Sequence, residues 1–146
     1  MQVSSSVKQL DDFIDEYHSA LDAFLRGEAE PMKGLFSRYD DVVLANPFGP
    51  AGLGWEAASA RLDHASSRFS NGALAGADRL ATYVGSDLAT IYEVEHGTVS
   101  VVGGPVTAWV LRTTTTFRRE EGAWKVVHRH ADPINTTNDE GPLRST

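Results

Sequence analysis

The stretch "AWKVVHRHADP", residues 123–133, decides how this chain is read. It comes after "FRREEG", whose Glu-Glu-Gly makes a tight connection, so it reads as the last strand of a hairpin. Side chains alternate across a strand. Trp124, Val126, His128, His130 and Asp132 then share one face, and Lys125, Val127, Arg129 and Ala131 share the other. The first set holds the tryptophan and the second holds two cations. Alternation therefore predicts that His128 and His130 point inward, their α-carbons roughly 6.5 Å apart, two strand rises.

The preceding strand, "VTAWVLRTTTTFRR", is rich in Thr, Val and aromatics, which suit a pleated surface. Trp109, Leu111, Thr113, Thr115 and Phe117 fall on one face. Val110, Arg112, Thr114, Thr116 and Arg118 fall on the other, which is open to water or to a second copy of the chain. Upstream, "RLATYVG" and "LATIYEVEH" flank the turn signal Gly85-Ser86-Asp87, and "HGTVSVVGGP" reads as a glycine-rich connection.

The first half is helical. Leu10, Phe13, Ile14, Tyr17, Leu21, Phe24 and Leu25 follow the spacing of one helical face, with capping-box residues Ser6 and Gln9 before it and Gly27 after it. Pro31 suits the first turn of a short second helix with Met32, Leu35, Phe36 and Tyr39 on its apolar side. "DDVVLANP" reads as a short strand and "NPFGPAGLG" as a loop. A third helix starts near Trp55 and ends at Asn71-Gly72. Helices first and hairpin-joined antiparallel strands after them make an α+β domain over 1–133, with a loose tail over 134–146.

Composition narrows the function. The net charge of −7 disfavours nucleic-acid binding, and no apolar run is long enough to span a membrane. The start of the chain lacks the order of a secretion signal, and the absence of cysteine fits a reducing compartment, so the cytoplasm is the expected location. No glycine-rich loop joins a strand to a helix, which excludes a dinucleotide or P-loop reading, and no cofactor is implied. His128-x-His130 could chelate a metal, but a third and fourth ligand are not evident, so none is expected.

The opening helix, "LFSRYDDVVLANPFGP" (35–50), "GWE" (54–56) and "RREEGAWKVVHRHADP" (118–133) together resemble SnoaL-like proteins of the NTF2-like, or ketosteroid-isomerase-like, superfamily. The closing Trp-x-x-x-His-x-His also resembles the association domain of calmodulin-dependent kinase. The resemblance implies an NTF2-like cone, in which three N-terminal helices pack on a curved antiparallel sheet around an interior pocket. It also implies a homodimer across the outer sheet face. Ketosteroid isomerases carry a proton-moving aspartate before a proline where this chain has Asn46 before Pro47. Asn46 cannot take that role, though its amide can donate hydrogen bonds.

The expected activity is binding of a small apolar or carbonyl-containing molecule, with proton transfer of the isomerase, cyclase or dehydratase kind as its chemistry. A non-catalytic dimerisation or ligand-binding module is the alternative. His130 and His128 are the candidate bases, because imidazole titrates near neutrality. Tyr17 is a candidate oxyanion donor, near where the resembled family keeps such a tyrosine, although its periodicity also suits the core. Asn46, Phe48, Trp55, Trp109 and Asp132 are the candidate binding residues. Asn46 is equally suited to shaping a turn, and Phe48 and Trp55 to anchoring the core.

Overall fold

The computed structural model describes the backbone of residues 2–133 and the side chains from residue 8 onward. The expected tail over 134–146 lies outside the described residues. Helix α1 (Gln2–Phe24) and the short α2 (Glu30–Leu35) precede β1 (Val43–Ala45) and β2 (Gly52–Leu53). Helix α3 (Trp55–Ser67) leads into four long strands, β3 (Phe69–Val84), β4 (Leu88–Val101), β5 (Thr107–Glu120) and β6 (Ala123–Pro133). The sheet order is β2-β1-β6-β5-β4-β3, an open curved sheet that the helices cover on one face. No helix among the described residues is long and apolar enough to cross a membrane.

Helix α1 buries the stripe its spacing predicts, with Leu10, Ile14, Tyr17, Leu21, Phe24 and Leu25 all out of water. It begins at Gln2, earlier than the capping signal at Ser6 suggests. It ends as expected at Gly27 (φ 93°). There the Glu28 and Gly27 amides donate to the Ala23 and Phe24 carbonyls, the two bonds of a Schellman cap. In α2, Met32 is buried, but Tyr39 lies beyond the helix and is 60% exposed.

Three strand readings change. Asn71-Gly72 does not end α3: the helix stops at Ser67, and the pair lies inside β3, where the pairing with β4 slips between Ser70 and Ala73. Further slips at Leu74/Gly76 and Arg79/Ala81 bend this edge strand. "HGTVSV" is not a connection but the second half of β4, and the turn comes after Val101. Nor is the sheet wholly antiparallel, because β1 runs parallel to β6, Val43 opposite His128 and Ala45 opposite His130.

Gly97 explains how β4 carries a glycine mid-strand. A Cβ there would stand 2.1 Å from the Ala73 carbonyl oxygen on one side and 2.9 Å from Cζ2 of Trp109 on the other. The bent β3 backbone and the tryptophan ring both use the space that the missing side chain leaves. Gly97→Val should therefore cost about 3 kcal/mol in urea unfolding, the scale of overpacking a tight site. Gly34→Ala, at a helical glycine with open space around it, should instead stabilise by about 0.5 kcal/mol. Equal effects of the two substitutions would contradict the packing described for Gly97.

Candidate functional site

The inward face of β5 is the one alternation predicts. Thr113, Thr115 and Phe117 are buried, and Trp109 and Leu111 are half-buried along the same side. The face of β6 is not. Phe117 pairs with Val126, but Thr116 pairs with His128, so Val127 is an extra residue in the ladder. This bulge reverses the alternation. Trp124 and Val126 point inward before it, and Arg129 and Ala131 are buried after it. His128 and His130 are exposed on the outer face, so the inward placement expected for them is corrected. Val126 is held from a third direction, because the Ser37 amide donates to its carbonyl at 2.9 Å. Partial desolvation and the neighbouring His130 keep His128 below the ordinary histidine range.

What the bulge brings inward is Arg129, 6% exposed. Its guanidinium meets Glu95 of β4 fork to fork: Nη1 donates to Oε2 and Nη2 to Oε1, each at 2.8 Å. Nη1 also donates to the Tyr17 hydroxyl oxygen, and that hydroxyl shares a hydrogen bond with Thr115 Oγ1 at 2.9 Å. Tyr17 and Glu95 are both fully buried. Burial pushes the Tyr17 phenol up to about 12, against the opposing pull of the Arg129 cation. It is therefore a neutral hydroxyl at physiological pH, a donor rather than a base. Burial also works against the Arg129 charge, but Glu95 and Tyr17 outweigh it and hold the guanidinium above its ordinary range.

The next inward position on β4 repeats the arrangement. Glu93, 0% exposed, accepts from His18 Nε2 at 2.8 Å and from Arg79 Nε at 3.2 Å. Consecutive residues of α1, Tyr17 and His18, thus reach two carboxylate clusters on one strand. Alternation along β4 carried this signal: Ala89, Ile91, Glu93 and Glu95 share a face, and Ile91 marks it as the inner one. The acids escape notice because charged side chains are seldom buried without partners, and the partners lie on other elements.

A cavity of about 440 Å³ opens between α1, the loop after β1 and the inner face of β4–β6. Its wall is mainly apolar, from Leu21, Phe24, Leu44, Leu62, Val99 and Leu111 among others, and among the described residues its charged groups are Glu95 and Arg129. Of the candidate residues, Asn46, Phe48 and Trp109 line it. Asn46 also shapes its loop, since Oδ1 accepts the Phe48 amide at 2.9 Å. Phe48 stacks edge-on against Phe69, ring centres 5.1 Å apart. Tyr17 stands behind the wall, one bond removed through Arg129. Trp55 is not at the cavity: its ring packs under the Arg38 guanidinium at 3.7 Å. Asp132 is not there either. It pairs with Arg112 at 3.3 Å on the outer side, as the reversed alternation requires.

The Glu93 cluster sets a pH dependence. Burial alone would raise this carboxyl, but the His18 and Arg79 bonds outweigh it and hold the group below the ordinary glutamate range. The stability it contributes is fully present above the unfolded value near 4.5 and is lost as pH falls through the lower folded value. Glu93→Gln should cost about 1–3 kcal/mol at neutral pH, through donors left poorly matched. It should also flatten the loss of stability below about pH 4.5 in urea titrations. An acid limb identical to that of the unaltered protein would show that this carboxylate is not the responsible group.

The comparisons with known proteins agree with this architecture. No curated protein matches the chain. Among solved structures, an NTF2-like superfamily protein from Salmonella enterica superposes with a TM-score of 0.76 at 19% identity, over 94% of this chain and 96% of its own. A candidate dehydratase of the NTF2-like family from Streptomyces avermitilis gives 0.72 at 16% identity, over 91% and 99%. A candidate calcium/calmodulin-dependent protein kinase type II association domain from Thiobacillus denitrificans gives 0.68 at 19% identity, over 86% and 94%. At these identities the likeness establishes the fold alone. The SnoaL-like domain matches residues 10–134, and so the chain belongs to the SnoaL-like family, on the NTF2-like fold.

Proposed function

We propose that this protein binds a small, largely apolar molecule in the cavity, with the polar end of that molecule against Glu95 and Arg129. The observation that carries this reading is an apolar space of about 440 Å³ whose charged groups form a single ion pair. The volume is that of a ligand site, and a few placed polar groups on apolar walls are what such a site needs for orientation. A purely structural interior would be packed without such a void. That favours the ligand reading over a non-catalytic assembly module of the kinase-association kind.

A second reading, proton transfer on the bound molecule, is favoured by the position of Glu95 at the cavity wall. In it the carboxylate takes the proton and the Arg129 guanidinium stabilises the developing oxyanion, the chemistry of an isomerase, cyclase or dehydratase. His128 and His130 have no part in it, and Tyr17 acts through Arg129 as a positioning residue.

The outer sheet face is proposed as a homodimer surface. Tyr92, Val94, Thr114 and Thr116 are half-buried there beside His128 and His130, and the face's cations Arg112 and Arg118 are already paired with Asp132, Asp41 and Glu120. Among the described residues, acids without an ion-pair partner include Asp11, Asp15 and Glu16 on the exposed side of α1, away from this face, while Asp78, opposite Val94 at its edge, stands 3.9 Å from His96. Two copies of a chain with net charge −7 therefore repel least across this face.

Nile red, a neutral apolar dye, should bind saturably to the unaltered protein. Leu111→Trp should fill the cavity and weaken that binding by about tenfold, while thermal unfolding moves by only about 5 °C. Unchanged dye affinity in a folded variant would locate binding elsewhere.

Light scattering should find a dimer. Thr114→Glu, which puts a carboxylate from each copy into the proposed interface, should weaken it by about tenfold or more with the secondary structure intact. A dimer indifferent to that charge would have to use another face.

A further inference from the structure

The charge balance of the cavity wall selects its ligand further than shape does. Among the described residues the wall has two charged groups, Glu95 and Arg129, and they are spent on each other. Both carboxylate oxygens accept from the guanidinium at 2.8 Å, and the same Nη1 also serves the Tyr17 hydroxyl. The pair is electrically neutral as a unit. We infer that the cavity takes an uncharged ligand whose apolar body ends in a hydroxyl, and that it discriminates against the carboxylate and the ammonium of the same skeleton.

This rests on the proposed cavity as the binding site, and the reasoning is electrostatic. A carboxylate entering the site would be a second anion beside one guanidinium. It would have to displace Glu95, leaving a fully buried acid without its partner, or remain unpaired itself. Glu93, two positions along the same inner face of β4, is no help to an anion, because its own cations are engaged by it. An ammonium would meet the mirror problem, competing with a guanidinium that Tyr17 and Glu95 hold on two sides. A hydroxyl needs neither displacement. Each carboxylate oxygen can accept more than the one bond that Arg129 donates to it, and a guanidinium carries five N–H donors. A group that both donates and accepts can join the pair without opening it. A ketone can only accept, so it uses half of what the wall offers.

The test uses 1-octanol, octanoate and octylammonium, which share one chain and differ in charge, with calorimetric titration of the full-length protein at neutral pH. The unaltered protein should bind 1-octanol about tenfold more tightly than either ion. Glu95→Gln removes the internal counter-ion, so the preference should collapse, with octanoate gaining about tenfold relative to 1-octanol. The ranking in the unaltered protein decides the inference even if Glu95→Gln does not fold. Octanoate or octylammonium binding as tightly as 1-octanol would overturn the inference and leave the cavity reading standing, since Leu111→Trp would still weaken all three. Failure of all three compounds together with Nile red would overturn the cavity reading itself. Failure of the three while Nile red binds would overturn the hydroxyl inference alone.

Discussion

Arg129 carries its charge into the interior with Glu95 on one side and the Tyr17 hydroxyl on another. An ion pair of this kind contributes little net stability compared with a well-packed apolar cluster, because taking both charges out of water offsets much of their attraction. Its weight shows when one partner is removed: a lone buried charge costs about 3–5 kcal/mol. The pair therefore fixes arrangement more than it adds stability. It ties the middle of β6 to β4 across the width of β5 and, through Tyr17, ties both to α1. The His18–Glu93–Arg79 cluster does the same for α1, β4 and β3 one step along the sheet. Two successive helix residues thereby hold the helix at one height over the sheet, and the cavity lies beyond them, where the apolar stripe of α1 continues through Leu21, Phe24 and Leu25.

The cavity is thus a consequence of a neutral polar girdle with an apolar space beside it. The girdle supplies direction to whatever enters. The space supplies the hydrophobic free energy of binding, which scales with the apolar area removed from water. Trp109 forms part of the wall only because Gly97 lets its ring lie close across β4. Phe48 reaches it from a loop whose turn Asn46 holds by accepting the Phe48 amide. A proline and an amide at this place make a shaped entrance rather than a proton acceptor, which moves the chemical weight of the site from the loop to the sheet.

Legibility in the sequence divides along the range of the interactions involved. The stripe of α1, the inner face of β5 and the turn at Gly85-Ser86-Asp87 are all local patterns, and the structure keeps them. The same logic applied to β6 puts the wrong residues inside. Two adjacent valines, both buried, are the mark of the break: Val126 closes one run of alternation and Val127 begins the next. A strict two-residue period has no place for that extra residue, so it sets the imidazoles where a guanidinium sits. Gly97 and Gly72 mislead in the same direction, since a glycine in a strand reads as the end of an element when it marks a close approach of other backbone.

By itself the sequence determined an α+β domain with its helices first, and which helical faces and which β5 residues form the core. These rest on periodicity, and periodicity is set by backbone geometry within one element. Only the tertiary structure decided which side of β6 faces inward. The bulge at Val127 sits where β6 pairs with β5 on one edge and β1 on the other, next to the Val126 carbonyl that accepts from the Ser37 amide. It also decided that an arginine could be buried there, because the carboxylate that makes this tolerable comes from a strand 34 residues earlier. A charge can leave water only where its partner already stands, and that position is a property of the assembled sheet.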